Sequence, residues 1–104
     1  MRKINFKRFK TASDIQIFLE SSLPINSSIP DVFSFLIRTN ATSAQLYDNK
    51  KIDTEYEKEF EQTMVCWAPS RRSWLIFTNE WHIFFHFNDG TLMKIEVQYS
   101  TLAL

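Results

Sequence analysis

The sequence predicts an α+β fold, with two N-terminal helices packed on one face of a three- to five-stranded antiparallel sheet that closes in a C-terminal β-hairpin. Three observations lead there. Apolar residues recur at helical spacing in two early segments, they alternate with polar ones near the C-terminus, and an Asn-Asp-Gly turn divides two such alternating runs. A chain of 104 residues suits one domain, because halving it would leave two cores too small to hold. With 44% hydrophobic residues, among them ten Phe, three Trp and three Tyr, the chain carries enough apolar area for a core of that size.

Residues 1–10 hold Arg2, Lys3, Lys7, Arg8 and Lys10 and no acid, and Ile4 and Phe6 alternate with polar neighbours. They read as a basic arm or an edge strand. Residues 12–23 read as a helix with Ile15, Phe18, Leu19 and Leu23 on one face, Ser13 and Gln16 as a capping box and Pro24 as the stop. A second helix is expected over 29–39, capped by Ser28 with Asp31 near its positive end. Val32, Phe35 and Leu36 form its apolar face, and Phe33 and Ile37 widen that face enough to bury much of the circumference. Asn40 suits a left-handed C-terminal position.

A short strand follows at 43–47, closed by Asp48-Asn49-Lys50. The stretch 53–62 reads two ways. As a helix it has a Thr54–Glu57 capping box, with Tyr56 and Phe60 stacked four apart. As a strand it lines one face with Asp53, Glu55, Glu57, Glu59 and Glu61, while the even positions continue through Phe60, Met64 and Cys66. The unbroken alternation favours a long strand from about Glu57 to Trp67, against local helix propensity. A turn at 69–72 leads to a β-rich stretch over 73–87, with a bulge or turn at 78–80. The closing hairpin is expected to use a three-residue loop, Asn88-Asp89-Gly90, with a left-handed Gly. That loop opposes Phe85 to Met93, Ile83 to Ile95 and Trp81 to Val97 on one face. On the other it opposes His86 to Leu92, Phe84 to Lys94 and His82 to Glu96. A two-residue loop at Asp89-Gly90 would instead oppose Phe85 to Lys94 and Ile83 to Glu96, mixing apolar with charged positions, so the first register is preferred.

Two stretches together resemble a known arrangement. Leu23-Pro24, Ser27-Ser28, Val32 and Phe35-Leu36 form a capped lead-in to a helix, and Trp81, Ile83, Phe85, Phe87, Asn88, Gly90, Leu92 and Val97 form a closing hairpin. Over roughly residues 23–99 this order is similar to small bacterial proteins of the β-lactamase-inhibitor-protein-like type, which pack two helices on an antiparallel sheet. The resemblance implies that fold, and a scaffold that binds and inhibits other proteins. The chain departs from the lipoprotein members in lacking a signal sequence and a lipidated cysteine near its start.

Composition narrows the chemistry. The single glycine, Gly90, excludes Gly-rich phosphate loops. Lys plus Arg equals Asp plus Glu, 12 each, so the chain lacks the basic footprint of a nucleic-acid binder, although Phe6 and Phe9 amid the N-terminal cations could stack on bases. The lone Cys66 cannot form an internal disulfide, and no apolar run has membrane or signal-peptide length, so a cytoplasmic location is expected. His82 and His86 sit four apart, which on a strand is about 13–14 Å and too far to chelate one ion together. Cys66 lies mid-run on the apolar side and reads as a packed thiol rather than a nucleophile. No metal, cofactor or catalytic residue is expected.

The acidic row Asp53, Glu55, Glu57, Glu59 and Glu61 is the candidate partner-binding feature, able to steer a cationic protein into contact or simply to guard a sheet edge. A secondary surface is expected around His82, His86 and Glu96. The expected function is a non-catalytic protein-binding module, an immunity or inhibitor protein that neutralises a cognate bacterial toxin such as a basic nuclease. Two other classes stay open: a small enzyme with its site on the outer hairpin face, and a structural subunit that oligomerises through exposed aromatics.

Overall fold

The computed structural model describes residues 4–49, 59–70 and 77–103. Two helices, α1 (Ala12–Ser22) and α2 (Ile29–Ile37), precede four strands, β1 (Thr42–Asp48), β2 (Gln62–Pro69), β3 (Phe77–Asn88) and β4 (Thr91–Ala103). The strands form one antiparallel sheet in the order β1-β2-β3-β4. The α+β class, the helices on one sheet face and the closing hairpin are as the sequence predicts.

α1 is capped two residues earlier than the Ser13 reading. Thr11 is the N-cap, and its side chain accepts from the Asp14 N–H. α2 carries the expected capping box. Ser28 Oγ accepts from the Asp31 N–H at 3.1 Å, and the Asp31 carboxylate accepts from the Ser28 N–H at 3.0 Å, which holds that carboxyl below its usual range. α2 ends at Ile37, two residues before the expected stop, because Thr39 turns its hydroxyl back onto the Leu36 carbonyl at 2.7 Å. Asn40 does not take the left-handed role; Asn26, Ser43 and Asp89 are the non-glycine residues with positive φ among the described residues. Ile37 is 74% exposed, so α2 buries only a stripe centred on Val32 and Leu36.

Of the N-terminal segment expected as a basic arm or edge strand, residues 1–3 lie outside the described residues, and residues 4–8 are held against the fold. Ile4 bridges Thr39 in parallel, Asn40 Oδ1 accepts from the Phe6 N–H, and a short 3-10 turn over Phe6–Arg8 places Phe6 in the core with no exposure. Phe6 is therefore unavailable for stacking on bases.

β2 starts at Gln62, not near Glu57. Glu59 lies in a turn and Glu61 in a bend before the strand, and the expected strand register of Asp53, Glu55 and Glu57 lies outside the described residues. Two asparagines replace the missing ladder. Asn49 Nδ2 donates to the Phe60 carbonyl at 3.0 Å, Asn88 Oδ1 accepts from the Glu61 N–H at 2.8 Å, and Asn88 Nδ2 donates to the Glu59 carbonyl at 3.2 Å. The break reverses the alternation, so Phe60 ends on the face opposite Met64 and Cys66.

β3 runs unbroken through 78–80, with no bulge or turn there. The hairpin differs from both readings. Its loop is the two-residue Asp89-Gly90 turn, with φ of 52° and 75°, closed by Asn88 opposite Thr91 and Phe87 opposite Leu92. A register shift between His86 and Phe87 then inserts one extra β4 residue, so that Phe85 faces Ile95, Ile83 faces Val97 and Trp81 faces Tyr99. The bulge restores the apolar-to-apolar pairing that an unshifted two-residue loop would have lost.

One sheet face supplies Met64, Cys66, Ala68, Trp81, Ile83, Phe85, Phe87, Leu92 and Ile95 to the core. Phe6, Ile15, Leu19, Leu23, Val32 and Leu36 close over them. Among the described residues no helix element lies on the other face.

Candidate binding surface

Because directly opposed residues on antiparallel strands share a face, the register puts Tyr47, Thr63, Trp67, His82, Phe84, His86, Lys94 and Glu96 on the side opposite α1 and α2. The expected secondary surface is thus on one face, but its pairing differs. Glu96 sits opposite Phe84, His82 opposite Gln98 and His86 opposite Lys94.

His86 is enclosed. Phe60 stacks on its ring at 4.6 Å and 14°, and the residue has no exposure. Its Nδ1 is 2.9 Å from Thr63 Oγ1, which accepts from Asn49 Nδ2 at 2.9 Å. With Asn49 donating to Thr63, the hydroxyl is best satisfied by donating onward to Nδ1. That arrangement leaves the ring proton on Nε2, 3.6 Å from Glu96 Oε1, while Lys94 Nζ approaches the same oxygen at 3.2 Å. Burial pushes the His86 pKa below its ordinary value of 6.5 and outweighs the opposing pull of Glu96. An imidazole kept neutral beneath a phenyl ring fixes the sheet and the preceding turn to each other and offers no face to a substrate.

His82 lies at the other end. It stacks on Trp67 at 5.3 Å and 25°, with Nε2 3.6 Å from Glu80 Oε2. Trp67 is 43% exposed, and Tyr47 adds a second accessible ring whose hydroxyl donates to Gln45. Cys66 projects from the helix-covered face, away from both histidines, and burial pushes its thiol up to about 12. Among the described residues no three His, Cys, Asp or Glu side chains are grouped to hold a metal ion, and no helix is long and apolar enough to cross a membrane.

Of the acidic row, Glu59 and Glu61 are described and both are exposed. Glu61 is partly engaged in structure, since its Oε1 accepts from the Asp89 N–H at 2.8 Å. It lines an open hollow of about 390 Å³ together with Asp48, Gln62, Asp89 and Gly90. Asp48 and Asp89 were not singled out from sequence, yet a signal was available. In an up-and-down antiparallel sheet the end of β1, the start of β2 and the β3–β4 turn all lie at one end, so the acids of those three segments must converge.

No protein-family model, no curated protein and no solved structure matches this chain.

Proposed function

We propose that this chain is a non-catalytic protein-binding module of the immunity or inhibitor kind, and that its sheet face opposite α1 and α2 receives a cationic partner domain such as a basic nuclease toxin. The observation that carries the reading is the exposure of Trp67 and Tyr47 on the sheet face opposite α1 and α2. Accessible aromatic rings anchored by stacking are the residue type most enriched at interface centres. Carboxylates at one end of the same sheet, Asp48, Glu59, Glu61 and Asp89, supply the complementary charge for a basic partner. The enzyme reading is less well supported, because its central imidazole, His86, is shut in beneath Phe60.

The test is a titration of the chain with the product of the adjacent gene. Complex formation is expected to weaken as salt rises, and Trp67→Ala is expected to weaken it at least about ten-fold. Glu59→Lys should slow association with little change in dissociation. Asp89→Asn removes a charge while keeping a residue suited to a left-handed turn position, and it should act in the same direction. Binding indifferent to both Trp67→Ala and salt, or no binding at physiological ionic strength, would sink the proposal.

A further inference from the structure

The two edges of the sheet are finished differently. β1 is seven residues long, and a register irregularity between Thr42 and Gln45, with Ser43 at φ 59°, bends it away from regular pairing. β4 is thirteen residues long, and among the described residues its outer edge is bonded only near its start. Asn88 and Thr91 face each other across the turn, so alternation points the N–H and C=O of Leu92 outward. There they bond with the Ser27 carbonyl at 2.8 Å and the Asn26 N–H at 2.9 Å. Past the extra residue of the bulge, the outward set continues as Ile95, Val97, Tyr99, Thr101 and Ala103. Consistent with that parity, the Ile95 carbonyl accepts from Gln16 Nε2 on α1.

From Val97 onward no described segment bonds to this edge. The outward backbone groups of 97–103 have no backbone partner among the described residues. The guards that edge strands normally carry are missing too: VQYSTLA contains no charge, no proline and no glycine. An uncharged, regular edge of this length is a pairing template.

We propose that two copies of this chain pair antiparallel through β4 over residues 97–103, joining two four-stranded sheets into one continuous sheet. A two-fold axis at Ser100 sets Tyr99 against Thr101 and Val97 against Ala103 of the second copy, and engages every outward residue of the open stretch in about eight ladder hydrogen bonds. No like charges meet in this register; Lys94 and Glu96 stay outside it. The stretch is therefore complementary to itself, which selects a second copy over a charged peptide strand as its occupant. An axis normal to the sheet keeps both helix layers on one side. α1 contacts β4 from the covered face through Gln16, starts near Tyr99 and runs back toward Met93, so the axis at Ser100 carries the second copy's α1 away from the first. The open faces bearing Trp67 then lie side by side.

Sedimentation equilibrium at up to about 100 µM is expected to return twice the chain mass of 12.4 kDa. Thr101→Pro removes an N–H that points at the second copy and spares the β3 ladder. It should raise the dissociation constant at least about ten-fold, since symmetry deletes the donor twice. Ser100→Lys places two ammonium groups opposite each other across the axis and should also favour the monomer, and mixing it with Ser100→Glu should restore pairing. A single-chain mass at that concentration overturns the proposal. So does a dimer indifferent to Thr101→Pro and Ser100→Lys, or an assembly that grows beyond two.

Discussion

At the scale of single residues, two positions hold conformations or charge states that their neighbours dictate. Gly90 sits at φ +75°, and a Cβ built there meets nothing within 4 Å. Gly90→Ala therefore costs only the left-handed backbone penalty, about 1 kcal/mol, and Gly90→Asn costs less because Asn tolerates that region. Chemical denaturation of the three proteins should rank them Gly, Asn, Ala with unchanged slopes; equal stability would mean the turn relaxes to another type. His86 gives a pH dependence whose sign follows from its burial. Its folded pKa lies below 6.5, with Glu96 and Glu59 pulling up and Lys94 pushing down around it. Below pH 6.5 the unfolded chain binds a proton that the folded one refuses. The contribution of His86 is thus fully present above pH 6.5 and is lost as pH falls from there through the folded pKa. Thermal melts between pH 7.5 and pH 5 should show falling stability in the wild type, as a rough range set by the ordinary His pKa. His86→Gln, which keeps a hydrogen-bonding group for Thr63, should be less stable throughout but with a shallower slope. An unchanged slope would mean that other groups set the acid limb.

At the scale of elements, the hairpin shows what was legible in the sequence and what was not. Both helices, their spacing, the Ser28–Asp31 cap and the choice of buried face on β3 followed from periodicity, because a helix stripe and a strand face are local patterns. The loop length did not follow, because Asn-Asp-Gly satisfies either a two- or a three-residue turn. The residue that decides it is Met93: Leu92 and Ile95 are both buried and three apart, a spacing that a regular strand cannot place on one face. Glu59 and Glu61 of the acidic row were legible as composition but do not lie in a strand, since the turn at Glu59–Glu61 is held by Asn49 and Asn88, whose partners are distant in sequence. The burial of His86 was hidden for the same reason: its cover, Phe60, arrives from across that turn. The bulge yields a counter-intuitive expectation. Deleting Met93 removes the extra residue and leaves Ile95 opposite Phe85 and Val97 opposite Ile83, so the fold should survive at a cost of no more than about 2 kcal/mol. Deleting Gln98 shifts every later residue of β4 to the opposite face and should cost more. Amide NMR spectra of the two variants test the contrast, and a collapsed spectrum for the Met93 deletion would contradict the register.

At the scale of the whole molecule, the sheet is a meander of neighbouring strands, yet its core is closed by residues from both ends of the chain. Phe6 near the N-terminus belongs to the same buried core as Leu92 and Ile95 of the last strand, its short 3-10 turn resting against β2, and the 26–28 segment bonds to β4. No piece of this core can leave without opening the rest, so the helix layer and the sheet should unfold as one cooperative unit. Cys66 is placed to report this. It lies on β2, an interior strand, on the helix-covered face with no exposure, and burial holds its thiol at about 12, so the folded state presents no reactive thiolate. Alkylation must wait for an opening that strips the helices from the sheet. If that opening is global unfolding, a stability of at least about 5 kcal/mol slows labelling at least about 1,000-fold relative to the unfolded chain. The denaturant midpoint for labelling should then coincide with the midpoint seen by far-ultraviolet circular dichroism. Labelling that begins well before the circular-dichroism transition would show that α1 and α2 detach as a separate unit, with the sheet held together by its ladders and by the His86, Thr63 and Asn49 network on the other face.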